Sequence, residues 1–213
     1  MKTLLYGGTF DPPHAGHLHN LRTAALTVRP DRTVVMPAGI PPHKQASATP
    51  AALRLEMCRC FQTLSGERGG PCGKLLVSGW EIAQAEAGKR NYTVLTLEKL
   101  TAEDPEGELY LTVGSDMLLT FREWFRWEDI LRMARLVCVS REDGDAASLT
   151  EAAASVDPSG NRVLIVPCTP LKMSSTELRA RLNAGEDCSD MLLGETMSVI
   201  RREGLYGFLR TEE

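Results

Sequence analysis

The sequence predicts an α/β fold, one mostly parallel sheet with helices on both faces, because short apolar runs alternate along the chain with segments of helical spacing. Residues 2–6, 33–36, 74–77, 109–113, 136–139 and 163–166 read as buried strands bounded by turn residues. After the first run, Leu18, Leu21, Ala25 and Val28 recur at helical spacing, with a start near Ala15. Further helices are expected over 51–63, 93–100, 127–133, 149–155 and 175–183, each opening near a capping or turn residue. Residues 38–49, 65–73 and 141–145 read as loops. No internal repeat or low-complexity tract interrupts this order. The expectation is a single Rossmann-like domain over 1–213, with a helical portion from roughly 174 to 213 packing on the same core.

Size and composition fit one enzyme domain. A chain of 213 residues, 43% hydrophobic and 24% charged, has enough material for one large core. The net charge of −4 and the lack of any long basic run argue against a nucleic-acid partner. An anionic substrate must therefore be met by local positive charge. The six cysteines, Cys58, Cys60, Cys72, Cys138, Cys168 and Cys188, form no CxxC pair and fall short of a disulfide scaffold, so reduced thiols and a cytoplasmic setting are expected. The apolar run after Met1-Lys2 is too short for a signal-peptide core, and no run approaches a membrane span. A homo-oligomer is left open.

Gly7-Gly8-Thr9-Phe10-Asp11-Pro12-Pro13-His14-Ala15-Gly16-His17 places two histidines on the loop from the first strand to the first helix. In open parallel sheets ligands bind beyond the carboxyl ends of the strands, where a helix N-terminus offers N–H groups and partial positive charge to an anion. His14 and His17, three apart, can both face the loop mouth from the first turn. Three readings stand: turn-capping histidines, metal ligands, and a phosphate cradle. Metal ligation lacks HExxH, a nearby cysteine, and any acidic ligand but Asp11. Neither GxGxxG nor GxxxxGK[ST] occurs there, which argues against a dinucleotide-binding dehydrogenase and a P-loop enzyme.

A second constellation, Thr169-Pro170-Leu171-Lys172-Met173-Ser174-Ser175-Thr176-Glu177-Leu178-Arg179, follows the last strand. Ser174 and Glu177 have capping-box spacing and mark a helix start at the same sheet end as His14. Ser175, Thr176 and Arg179 on its first turn could offer hydroxyls and a guanidinium to phosphate oxygens; taken alone, the stretch reads more readily as a plain capped helix.

The histidine loop resembles the HxGH signature of the nucleotidyltransferase superfamily, and 173–179 resembles the ISSTxxR motif of its adenylyltransferase branch, with Met173 in place of isoleucine. Pro37-Ala38-Gly39-Ile40-Pro41-Pro42-His43-Lys44, Asn91-Tyr92-Thr93-Val94 and Gly114-Ser115-Asp116-Met117 are similar to stretches of bacterial nicotinate-nucleotide adenylyltransferases. Together the motifs run across most of the chain. The resemblance implies adenylyl transfer from ATP to nicotinate mononucleotide, giving deamido-NAD and pyrophosphate in NAD biosynthesis. It implies catalytic roles for His14, His17 and Lys44, and ATP contacts from Gly8, Thr9, Phe10, His14, His17, Ser174, Ser175, Thr176 and Arg179. It further implies substrate contacts from His43, Lys44, Tyr92, Thr93, Asp116 and Trp124. Trp124 would stack on the pyridine, with Phe125 and Trp127 as core aromatics, and Tyr92 and Thr93 would frame the carboxylate. Asp116 reads as a ribose or substrate contact or as a helix N-cap. Mg²⁺ would arrive with ATP as cofactor, with no protein metal site.

The family usually continues after the position of Asp190 with a proline, a valine and a tyrosine. Here residues 192–200 keep helical character and Gly204-Leu205-Tyr206 but lose much of that pattern. Phosphopantetheine and nicotinamide-mononucleotide adenylyltransferases are the alternatives within the class. A catalytically idle nucleotide-binding regulator would keep the same loops without turnover.

Overall fold

The computed structural model describes residues 1–39, 49–66, 69–140, 146–169, 171 and 173–208. Six strands, β1 (Lys2–Gly8), β2 (Arg32–Pro37), β3 (Lys74–Val77), β4 (Glu108–Gly114), β5 (Ala134–Val139) and β6 (Val163–Val166), form one sheet in the order β3-β2-β1-β4-β5-β6. Every pairing is parallel. A parallel sheet is covered on both faces, so its strands are apolar throughout, and that made all six visible as runs.

Alternation along the strands feeds two cores. Leu4, Tyr6, Val35, Tyr110, Val137 and Val139 pack with Leu21, Ala24, Ala25 and Val28 of α1 (Ala15–Val28) and with Phe61. Leu5, Val34, Leu111 and Leu136 face the other way. There they meet α4 (Thr93–Glu103), α5 (Ser115–Leu119), α6 (Trp127–Met133) and α7 (Ala146–Val156), through Val94, Leu97, Leu118, Ile130 and Leu149. A third cluster joins Met57 of α2 (Ala51–Met57) to Leu178 and Leu182 of α8 (Ser175–Asn183) and to Met197 and Ile200 of α9 (Gly194–Glu203).

Local signals fix the ends. α1 stops where Arg29 takes a left-handed conformation, its N–H returning to the Ala25 carbonyl just before Pro30. Ser174 caps α8, its Oγ accepting from the Glu177 N–H at 3.1 Å. Three expectations are revised. The helix expected over 51–63 is α2 followed by a 3-10 turn at Cys58–Leu64. Helix α3 (Trp80–Glu86) was not foreseen, since Ile82 is its one fully buried residue and it carries little apolar periodicity. Helix α5, also unforeseen, continues from β4 without a turn residue between them.

Phe61 is fully buried, its ring 5.2 Å from Phe10 and 5.8 Å from Tyr6. Phe61→Ala is expected to lower the unfolding free energy by about 3–5 kcal/mol, read as a shift of the urea midpoint at constant m. A midpoint equal to that of the wild type would show that these rings do not support the loop above them.

Candidate active site

Residues 9–14 span the gap from β1 to α1 over the carboxyl edge of the sheet. Phe10 points its ring into the core from a left-handed backbone (φ 50°), 5.5 Å from Tyr6. A β-carbon at Gly8 would lie 2.8 Å from that ring, so only glycine lets the chain pass so close. The loop is then held mainly by its carbonyl groups. Arg54, 2% exposed, donates from Nη1 to the Thr9 carbonyl at 2.7 Å and from Nη2 to the Gly39 carbonyl at 3.3 Å. Arg179 Nη1 donates to the Asp11 carbonyl at 2.7 Å, and Ser175 Oγ donates to the Pro12 carbonyl at 2.9 Å. The Tyr206 hydroxyl donates to Asp11 Oδ1 at 2.6 Å.

Electrostatics favour this clamp. Burial pushes the Arg54 guanidinium below its ordinary value while the nearby Asp11 carboxylate opposes that shift. Burial first, and the bond to Asp11 second, push the Tyr206 phenol far above its usual range, so it stays protonated as a donor. Arg54 and Tyr206 were absent from the sequence-based site. Both act from far along the chain, and only the fold brings them to the loop.

His14 is buried and precedes α1 in extended conformation. Its N–H donates to His17 Nδ1 at 3.2 Å, and the two rings lie 3.7 Å apart at 32°. An amide can only donate, so His17 Nδ1 is an acceptor and the neutral ring carries its proton on Nε2. A β-carbon at Gly16 would sit 3.0 Å from His14 Nδ1, so glycine between the histidines lets that ring lie flat on the helix. Three amides at this loop are already engaged: the Ala15 N–H donates to the Met191 carbonyl at 2.8 Å, the His17 N–H returns to the His14 carbonyl, and the His14 N–H is taken as above. Pro12 and Pro13 have no N–H to give.

A cavity of about 1,200 Å³ opens beside the histidines. Gly8, Thr9, Phe10, His14, His17, Ser174, Ser175, Thr176 and Arg179 line it, and so do Tyr92, Thr93, Asp116 and Trp124. Of the residues expected in the site, His43 and Lys44 lie outside the described residues. Arg179 also holds Thr176 Oγ1 at 3.2 Å, so its fork ties the start of α8 to the Asp11 turn. Among the described residues no group of three or more His, Cys, Asp or Glu is arranged to hold a metal ion.

The far wall is aromatic. Trp124 is partly buried, its ring 5.3 Å from Phe121 with the cavity beside it. Trp127 packs partly buried against the same core, as expected. Phe125 does not: it is 50% exposed, lines the cavity and lies 4.5 Å from the Tyr92 ring. The segment is a 3-10 turn at Phe121–Glu123 followed by left-handed Arg126, not a helix, so neighbouring aromatics part to different sides. The N-cap of α5 is Gly114, and Asp116 sits exposed in the first turn. Tyr92 holds the N-cap position of α4, and Thr93 begins that helix.

Residues 5–181 match the cytidylyltransferase-like family. A Shewanella protein (strain MR-4) named "probable nicotinate-nucleotide adenylyltransferase" is 31% identical over 223 residues, covering 97% of this chain and 99% of its own. The chain belongs to the nicotinate-nucleotide adenylyltransferases. It is therefore an enzyme of the nucleotidyltransferase class. The Plasmodium falciparum nicotinic acid mononucleotide adenylyltransferase shares the fold, with TM-scores of 0.74 in its complex with NaAD and 0.73 in its complex with APC, at 17% identity and 99% coverage of both chains.

Glu81 of α3 also lines the cavity, accepting from Thr96 Oγ1 at 2.7 Å. Burial raises its pKa, and the Thr96 bond only partly opposes this. A folded pKa above the unfolded one means that burying the carboxylate costs nothing below the unfolded value, about 4.3, and that the cost grows in as pH rises through the folded value. Glu81→Gln is thus expected to raise Tm at pH 7 and to match the wild type below about pH 4. Identical melting curves for the two proteins across that range would contradict the shift.

Proposed function

We propose that this cavity joins ATP to nicotinate mononucleotide. A phosphate oxygen of the mononucleotide attacks the α-phosphorus of ATP, the bond from that phosphorus to the bridging oxygen of the β-phosphate breaks, and pyrophosphate leaves. The product is nicotinate adenine dinucleotide. The observation that carries this reading is that one cavity is lined both by the histidine turn with the start of α8 and by the Tyr92, Thr93 and Trp124 wall. Two nucleotides can therefore meet within it.

The incoming phosphate is ionised at neutral pH, so catalysis rests on alignment and on donors aimed at charge developing on the α-phosphate. His17 Nε2–H and the adjacent His14 ring fill that role. Magnesium would arrive with ATP and supply charge neutralisation on its phosphates, which calls for few protein ligands. Ser175, Thr176 and Arg179, with the N-terminus of α8, lie on the triphosphate side. His43 and Lys44, outside the described residues, are assigned the parts of a further donor and a further cation. Gly8, Thr9 and Phe10 form the near wall.

On the mononucleotide side, Trp124 stacks on the pyridine, and the ring carboxylate lies against the N-terminus of α4 at Tyr92 and Thr93. A helix N-terminus favours an anion, which supports nicotinate over nicotinamide. Asp116 faces a ribose. No covalent intermediate is required, and burial pushes the Cys60 thiol up to about 12 and the Cys72 thiol up to about 11, far from nucleophilic thiolates. A cytoplasmic setting suits six free cysteines.

The direct test is incubation with ATP, Mg²⁺ and, in turn, nicotinate mononucleotide, nicotinamide mononucleotide and phosphopantetheine, reading pyrophosphate release. Fast turnover with the first alone is expected; preference for either of the others would replace the proposal. His17→Ala should lower kcat by roughly 10²–10³, about 3–4 kcal/mol, with the fold intact by circular dichroism. Near-normal turnover would remove His17 from the mechanism. Trp124→Ala should raise KM for the mononucleotide far more than for ATP, by an amount equivalent to about 1–3 kcal/mol. An unchanged KM would return Trp124 to the core.

A further inference from the structure

β1 and β4 pair only as far as Leu5–Leu111, and then they part. Beyond that point Tyr6, Gly7 and Gly8 stay paired to β2, while Thr112, Val113 and Gly114 stay paired to β5. The split opens at the switch in strand order, where a crevice forms in sheets of this kind. At its floor lies a recess of about 20 Å³, walled by Tyr6 and Gly7 on one side and Thr112 and Gly114 on the other, with Asn20 of α1 and Met117 of α5 closing over it. Asn20, Tyr6, Gly7, Thr112 and Met117 also line the main cavity, so the recess is continuous with the substrate space.

Thr112 is the anomaly in this floor. Its neighbours on β4, Leu111 and Val113, are apolar core residues, yet position 112 carries a hydroxyl. The residue is 8% exposed, and its Oγ1 is buried without a hydrogen-bond partner among the described residues. A buried hydroxyl left unsatisfied costs stability that an isosteric valine would not, so its presence in the floor of a substrate cavity needs a reason.

Resting on the function proposed above, we infer that Thr112, with Asn20, forms a subsite that reads a ribose hydroxyl of a bound nucleotide. Size decides the class of ligand. A recess of about 20 Å³ admits one hydroxyl-sized group and nothing larger. Charge decides against phosphate. No residue lining the recess is charged, whereas the imidazoles and Arg179 stand at the loop above. Thr112 Oγ1 can donate and accept, as can the Asn20 carboxamide, and a ribose hydroxyl needs both. Either nucleotide could supply that hydroxyl, so the test separates the two.

Dissociation constants are measured by calorimetry for ATP, 2′-deoxy-ATP, 3′-deoxy-ATP, nicotinate mononucleotide and its deoxy analogue, with wild type, Thr112→Val and Thr112→Ser. Wild type is expected to bind the ribose form of one nucleotide about tenfold more tightly than the analogue lacking the hydroxyl that is read. Thr112→Val should bring that ratio near one, and Thr112→Ser should keep it. The nucleotide whose ratio collapses identifies the source. Ratios that Thr112→Val leaves unmoved for every analogue would overturn the inference. Because the readout is binding, it decides the matter whether or not pyrophosphate is released, and turnover with the mononucleotide judges the proposed function separately.

Discussion

The site depends on carbonyl oxygens being held from outside the loop that carries the histidines. The peptides of Thr9, Asp11 and Pro12 each have their oxygen bound by a side chain from another part of the chain: Arg54, Arg179 and Ser175. A six-residue connection with two prolines has little hydrogen bonding of its own, so without these donors its backbone would be exchanged between several conformations. Held this way, the turn delivers His14 to the start of α1 in one orientation. The bond from His14 N–H to His17 Nδ1 then sets the tautomer of the second ring. Preorganisation of the donors thus begins some 40 and 165 residues away in sequence, in α2 and α8. The order of cause runs from packing of the C-terminal helices, through carbonyl bonds, to imidazole geometry.

The sheet supplies the space into which that loop faces. Parallel strands joined by helices bring each following helix N-terminus to the carboxyl edge, so α1, α4 and α8 all present their positive ends there. Two of those ends flank the histidine side of the cavity and the third flanks its aromatic wall. Divergence of β1 from β4 makes the crevice without a hinge or a second domain. Substrate anions enter a chain of net negative charge because the field that matters is local, made from helix ends and a few cations.

How much of this was legible in sequence follows from the range of each signal. All six strands were visible because strands covered on both faces read as near-continuous apolar runs. α6 and α8 were placed to the residue, the latter by the Ser174 and Glu177 spacing, which is a local signal with a local cause. Helix α3 was not, because Ile82 alone among its seven residues is buried and it carries little apolar periodicity. Phe125 was misread as core, since aromatic residues in a turn give no periodicity to tell inside from outside. Arg54 and Tyr206 carried no motif in themselves; their meaning is long-range, set by carbonyl and carboxylate partners that become neighbours only on folding. Thr112 lay hidden for the opposite reason, as one hydroxyl inside a run that otherwise reads as plain strand.

Several buried polar residues, Asp11, His14, Arg54 and Thr112 among them, stand at the cavity end of the sheet, while the clusters on its two faces are built from aliphatic and aromatic side chains. Each buried polar group costs free energy unless its partners are complete, and at Arg54 Nε and Thr112 Oγ1 they are incomplete among the described residues. An enzyme that selected only for stability would have apolar residues at those positions. The stability lost at the cavity is offset by burial elsewhere, in the two apolar layers and in the third cluster under α9. That division leaves the C-terminal segment with few demands from the site. What it must supply is apolar bulk at Met197 and Ile200 and one donor at Tyr206, and neither demand prescribes the residues between them.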